Sequence, residues 1–319
     1  MIRAEYLETT SPAVSVPVSR LNVRRLFAVG AQLVGGLVIA ALVFPFASPG
    51  ARLAFAQQWA RRMIGALGAR LCVEGTAPAP GTLLVANHVS WLDILAIASH
   101  APTAFVAKSE VRAWPAIGWL AARAGTLFLR RSSGRSLLRV KERIGGLLLE
   151  DRNVALFAEG TTTSGSDLLP FRSGLMQAAV DSTRPVQAVA IAYHDEDGRL
   201  SAAAAFIDGM SLWESIVAIL RCERITARLV IAPPLASAGR TRKQLAREAH
   251  RLVDALLAQP GAQSSRPIRP TNVSTLPRPS GLEECGCADS PRDARGAEGL
   301  PARDGLPDRV PGAAGDACS

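Results

Sequence analysis

From Thr82 to about Ala258 the chain switches repeatedly between short apolar runs and longer stretches of helical spacing. That alternation narrows the choice of fold more than any single residue does, because strand and helix patterns taken in turn are the signature of an α/β domain. The spacing predicts strands over Leu83–Ala86, Ala104–Ala107, Leu127–Leu129, Val154–Phe157, Val186–Ala192, Ala203–Ile207 and Ala227–Ile231. It predicts helices over Ile94–Ser99, Ala116–Ala124, Leu137–Leu149, Leu175–Asp181, Leu212–Leu220 and Arg242–Leu257. No internal repeat interrupts the pattern.

The flanking segments differ in kind. Residues 1–21 are mixed in composition and expected to be a flexible N-terminus. After Arg24-Arg25 comes Leu26 to Phe46, an uncharged run near the roughly 20 residues that cross a bilayer. A retained anchor over 22–51 is the preferred reading. A signal peptide is the alternative, but the run starts late and is long for one, and Ala54-Phe55-Ala56 lies well beyond it. Arginines on both sides leave the orientation open, and Pro45 can bend the segment or turn it into a re-entrant hairpin. Residues 52–70 have the pattern of an amphipathic helix with Arg52, Arg61, Arg62 and Arg70 on its polar face. It could lie on an anionic bilayer or pack its apolar face on the domain core. Residues 260–319, rich in Pro, Gly, Arg, Ser and Asp, form an expected disordered tail beyond the 52–259 domain.

With 36 basic and 27 acidic residues the chain carries a formal charge of +9, which favours anionic partners. Only 5% of residues are aromatic and no stacking motif or zinc-finger spacing is present, so nucleic acid is the weakest of these. The 5 cysteines fit no disulfide framework, and Cys285-Gly286-Cys287 supplies too few ligands for a structural metal. No metal or cofactor is expected.

Three clusters carry the chemistry. The first is Asn87-His88-Val89-Ser90-Trp91-Leu92-Asp93, between a strand and a helix. Ser90 and Asp93 have the spacing of a helix capping box. Capping leaves Asn87 and His88 unexplained. A sharper reading has Asp93 hold one ring nitrogen of His88, freeing the other to take a proton. His100, His194 and His250 have no comparable setting. The second cluster is Gly125 to Arg131, which puts Arg130 and Arg131 at a strand end, where guanidinium groups can take an anion. The third is Phe157-Ala158-Glu159-Gly160-Thr161, a strand-end acid followed by a turn that is either an oxyanion cradle or a plain surface turn. Neither a serine-hydrolase elbow nor a nucleotide-binding P-loop is present.

Taken together, these blocks resemble the 1-acyl-glycerol-3-phosphate acyltransferase family. Asn87 to Asp93 is similar to its N-H-x-S-x-x-D block, Gly125 to Arg131 to G-x-x-F-x-x-R, Phe157 to Thr161 to F-P-E-G-T, and Pro185 to Ile191 to a short apolar block. The match spans roughly residues 55–258. It implies a mixed sheet flanked by helices and an N-terminal membrane anchor. It also implies direct transfer of an acyl chain from acyl-CoA or acyl-carrier protein to a lysolipid hydroxyl, as in phospholipid biosynthesis. His88 and Asp93 are then the catalytic pair, and Arg131, Glu159, Gly160 and Thr161 the head-group contacts. The expected partners are the lysolipid acceptor, the acyl thioester donor and the membrane surface, with the catalytic domain on the cytoplasmic side.

Three positions depart from the family pattern, and the one at Thr162 bears on the acceptor. Ala158 and Ala188 replace prolines, and Thr162 replaces an arginine that often contacts the acceptor phosphate. Members that acylate lyso-ornithine lipid resemble this chain in having threonine there, so that lipid is the alternative to 1-acyl-glycerol-3-phosphate. A non-catalytic, membrane-binding scaffold is the remaining reading.

Overall fold

In a computed structural model of the chain, residues 20–259 other than position 208 are described. The expected tail boundary at 260 and Cys285-Gly286-Cys287 lie outside them. The strands are β1 (Ala69–Gly75), β2 (Leu83–Ala86), β3 (Thr103–Lys108), β4 (Leu127–Leu129), β5 (Asn153–Phe157), β6 (Val186–His194) and β7 (Ile225–Ile231). The helices are α1 (Val23–Leu42), α2 (Pro49–Leu67), α3 (Leu92–His100), α4 (Ile117–Arg123), α5 (Gly134–Leu149), α6 (Gln177–Asp181), α7 (Leu212–Arg221) and α8 (Arg242–Leu257).

The strands form one sheet in the order β1-β7-β6-β2-β5-β3-β4. Pairing is parallel throughout except between β6 and β7, so the sheet is mixed, as the motif blocks imply. All four residues of central β2 are buried, because helices cover both faces. One face packs Val29 of α1, Met63, Ile64 and Leu67 of α2, and residues of α3 and α7 against the sheet. The other packs Ile144, Leu147 and Leu148 of α5 and Leu245, Ala249 and Val253 of α8.

Two expected elements are corrected. Ala203–Ile207 is not a strand: a 3-10 turn at Ala202–Ala204 runs into irregular chain, with Ala203, Ala204 and Ala205 buried. Small alanines fill the space under Val89 without a strand partner, and Phe206 donates its backbone N–H to the Val89 carbonyl at 2.9 Å. The helix expected over 52–70 starts earlier and stops earlier. Ser48 caps its start with Pro49 in the first turn, and Gly68, at φ 76°, ends it in the left-handed conformation. Edge strand β1 then begins at Ala69.

α2 takes the packing role. Leu53, Ala60, Met63, Ile64 and Leu67 are buried, and Gln57 and Arg61 donate to the last carbonyls of α3. α1 is 20 residues long with a mean hydropathy of 1.8, enough by length and composition to cross a membrane. Asn22 caps its first turn. Phe27, Val34, Val38 and Leu42 are exposed along it. Its root is tied to the domain: Arg25 donates to the carbonyls of Cys222 and Glu223, just past α7, at 3.0 and 3.1 Å. Farther along, Trp59 of α2 donates to the Gln32 carbonyl at 2.8 Å and lies flat against Gly36.

Candidate active site

His88, Arg131 and Glu159 each stand two residues beyond the end of a parallel strand, after β2, β4 and β5 respectively. The carboxyl ends of neighbouring parallel strands open onto one crevice in α/β sheets, and the three residues meet there for that reason.

Asn87 explains the start of the first block. Its amide group donates to the Ile191 carbonyl at 2.9 Å and accepts from the Ile191 N–H at 2.8 Å, continuing the β2–β6 ladder with a side chain. The chain then turns sharply into α3. The expected capping box is only half present. The Asp93 carboxylate does accept from the Ser90 N–H at 2.9 Å, but the Ser90 hydroxyl is buried and bonds nothing among the described residues. The reason is that Oδ2 of Asp93 takes the whole load of the turn. It accepts from the backbone N–H groups of Val89 and Ser90 and lies 2.8 Å from Nδ1 of His88. An ionised carboxylate can only accept, so Nδ1 carries the proton and Nε2 is left bare.

The imidazole is also fixed in plane. It stacks on Phe157, the last residue of β5, with centroids 4.0 Å apart and planes 11° from parallel. The His88 side chain retains 20% exposure while Asp93 has none, so the ring has one wet edge and one buried edge. Nε2 has no protein partner among the described residues.

Sequence reasoning missed Tyr193. Its hydroxyl, from buried β6, donates to Oδ1 of Asp93 at 2.7 Å. Burial and the Asp93 charge push this phenol well above its usual range, so it remains a protonated donor at any working pH. The signal was available: this is one of only 2 tyrosines, placed in an otherwise apolar strand where a hydroxyl needs a partner.

Glu159 is 3% exposed, and both its oxygens meet backbone. Oε1 accepts from the His88 N–H at 2.7 Å and Oε2 from the Leu169 N–H at 3.0 Å. Burial raises its pKa, opposed by those two bonds. Gly160 follows at φ 79°, a conformation glycine adopts without strain. It leaves room that side chains then use. A methyl group on Gly160 would sit 2.8 Å from Nε of Arg172 and 3.6 Å from an Nη of Arg131. Arg131 therefore reaches this turn from the far side of the sheet, and Arg172, also missed from sequence, meets it there. The Arg130 backbone N–H bonds the Ser136 hydroxyl at 2.9 Å, and its guanidinium makes no hydrogen bond or ion pair among the described residues.

Thr161 and Thr162 line an open cleft of about 460 Å³ with Ser164, Phe206, Ile207 and Met210. The Thr162 hydroxyl donates to the Phe206 carbonyl, which ties the cleft's two walls together.

Comparison with known proteins gives the family. The family model described as Acyltransferase matches residues 70–192, which include His88, Asp93, Arg131 and Glu159 and end one residue before Tyr193. The chain is 44% identical over 195 residues to lyso-ornithine lipid O-acyltransferase of Pseudomonas aeruginosa, covering 61% of this chain and 75% of that protein. It is 38% identical over 161 residues to 1-acyl-sn-glycerol-3-phosphate acyltransferase of Neisseria meningitidis serogroup B, covering 49% and 63%. The crystal structure of the 1-acyl-sn-glycerophosphate acyltransferase of Thermotoga maritima superimposes with a TM-score of 0.55, over 75% of this chain and 95% of that one. At 22% identity this last likeness speaks to the fold. With a relative this similar over three quarters of its length, the chain belongs to the acyltransferase family and is an acyltransferase.

Proposed function

We propose that the protein transfers an acyl chain from a CoA or carrier-protein thioester to the free hydroxyl of a lysolipid. The observation that carries this is the His88–Asp93 pair, with Nδ1 held at 2.8 Å and Nε2 left without a partner among the described residues, on a side chain that is 20% exposed. Nε2 takes the acceptor hydroxyl's proton as that oxygen attacks the thioester carbonyl. The C–S bond then breaks, and the imidazolium returns the proton to the departing thiolate. Base catalysis of this kind typically contributes about 10²–10⁴-fold. Asp93 and Tyr193 hold the base in place, and Glu159 holds the His88 backbone.

No covalent acyl-enzyme is needed. Ser90 is fully buried, and burial together with Glu196 and Asp195 pushes the Cys222 thiol up, away from thiolate reactivity. The cleft beside Thr161 offers Phe206, Ile207 and Met210 as apolar wall for a chain.

For the acceptor, two readings have specific support. Thr162 puts a neutral side chain, already bonded to Phe206, where a phosphate-binding arginine is common, and the Pseudomonas relative is named for lyso-ornithine lipid. The motif blocks and the Neisseria relative support 1-acyl-glycerol-3-phosphate. The exposed apolar residues of α1 support seating at a membrane, with the domain on the cytoplasmic side where the thioester donors are made.

The test uses purified protein with both lysolipids as acceptors and thiol release as readout. His88→Ala is expected to lose acyl transfer while still unfolding in one cooperative step, at a lowered midpoint because Asp93 loses a donor and Phe157 its stacking partner. Retained transfer would remove His88 from the mechanism, and lipid binding without any thioester consumption by the wild type would favour the scaffold reading.

A further inference from the structure

Arg131 and Arg172 converge on Gly160 from different parts of the chain. Arg131 follows edge strand β4, and Arg172 lies on the segment that leaves the Glu159 turn and folds back over it. Three bonds fix that return. The Leu169 N–H meets Oε2 of Glu159 at 3.0 Å, the Arg172 N–H meets the Ala158 carbonyl at 2.8 Å, and Nε of Arg172 points at the Glu159 carbonyl at 3.4 Å. The terminal nitrogens of Arg172 bond nothing among the described residues, and its Nε and an Nη of Arg131 both lie against Gly160.

Two guanidinium groups this close repel each other, and each normally recruits a carboxylate. Among the described residues neither has one within 4.0 Å. Glu159, in the same turn, spends both oxygens on backbone N–H groups. Glu110 acts on Arg131 only at longer range, and burial and then Arg172 lower the Arg131 pKa. A pair of exposed cations held together by the fold, with the local acid turned away, is built to receive an oxyanion.

We propose that Arg131 and Arg172 together form the seat for the acceptor's head-group oxyanion, with Arg172 supplying from the folded-back segment the cation that Thr162 does not. This rests on the lysolipid reading above and deepens it. The shared chemistry is a carboxylate or phosphate oxygen pair taken by two guanidinium groups. Because the seat is shared between a strand end and a strap pinned by Glu159, that acid acts as a positioning residue for both the base and the anion.

The test assays full-length enzyme in mixed micelles with lysophosphatidic acid, lyso-ornithine lipid and the anion-free 1-monoacylglycerol. Loss of one charge-assisted contact is expected to raise KM for the anionic acceptor about tenfold in Arg172→Gln. The preference over monoacylglycerol should fall by a similar factor, and Arg172→Lys should recover part of it. The anionic lipid that works tells phosphate from carboxylate. An unchanged KM, or an equal rise for the neutral acceptor, overturns the seat. Should the wild type acylate none of the three, the lysolipid reading fails, and direct binding then decides the seat alone. Lysophosphatidic acid and inorganic phosphate should raise the unfolding midpoint of the wild type more than that of Arg172→Gln, and equal shifts overturn the proposal.

Discussion

Tyr193→Phe removes one oxygen and leaves the ring in place, so it isolates the bond to Asp93. In the wild type Oδ2 of Asp93 serves His88, Val89 and Ser90, whereas Oδ1 has Tyr193 as its one donor among the described residues. Asp93 has no exposure, so water cannot replace the lost hydroxyl without opening the core. A hydrogen bond to a charged group contributes about 1.5–3 kcal/mol. Urea unfolding should therefore show a loss of that order, near the upper end if Oδ1 stays dry. Part of the loss should reach the transition state, because an underbonded carboxylate holds His88 less firmly. If roughly half does, kcat falls about 3- to 10-fold at about 1.4 kcal/mol per decade. KM should stay put, since Tyr193 is buried behind Asp93 and away from the cleft. In an Asp93→Asn background the Tyr193→Phe change should cost far less, because the two act as a unit. A variant as stable and as active as the wild type would refute the idea that Oδ1 needs its donor.

Two further outcomes follow from the same hydrogen bonds and from burial. Glu159→Gln puts an NH₂ against one of two backbone N–H donors; it should cost about 1–3 kcal/mol in urea unfolding and lower kcat as well, and unchanged values for both would remove Glu159 as a clasp. Burial and Arg61 lower the pKa of His100, and burial and Arg228 lower that of His194. An unfolded histidine titrates near about 6.5, so below that pH the unfolded state binds more protons than the folded one. Stability should then fall as pH drops from about 7.5 to 5.5, and His100→Gln should shrink the drop; an identical pH dependence in the variant would show that His100 contributes nothing.

The parts legible in sequence were those whose cause is local. Periodicity located Leu127–Leu129 and Arg242–Leu257 to the residue, because an apolar face and a capping pair are written in neighbouring positions. His88 and Asp93 were visible because five residues across a strand-to-helix turn are enough to bring them together. The failures have non-local causes. Ser90 looked like a cap until Asp93 was seen taking both turn amides. Asn87 makes sense only once β6 lies beside β2, and Tyr193, 100 residues from Asp93, needs the same pairing. Ala203–Ile207 carried strand-like residues but pairs with no strand of the sheet. Edge strand β1, with Arg70, Cys72 and Glu74 alternating with apolar residues, was hidden by the helix before it. Arg172 left no local trace: it lies in irregular chain and meets the Gly160 turn only through the fold.

Arg25 sets a mechanical property of the whole molecule. A transmembrane segment joined by a slack linker would act as a leash, letting the catalytic face swing toward or away from the lipid surface. Here the first turn of α1 is bolted to the carbonyls after α7, and its middle is braced by Trp59. If α1 enters lipid, as proposed above, the helix is a mast stepped into the hull, and the angle it takes there dictates the heading of the crevice. Lipid thickness and tilt would thus be felt at His88 directly, and an unrelated anchor of equal hydropathy would not be an equivalent replacement.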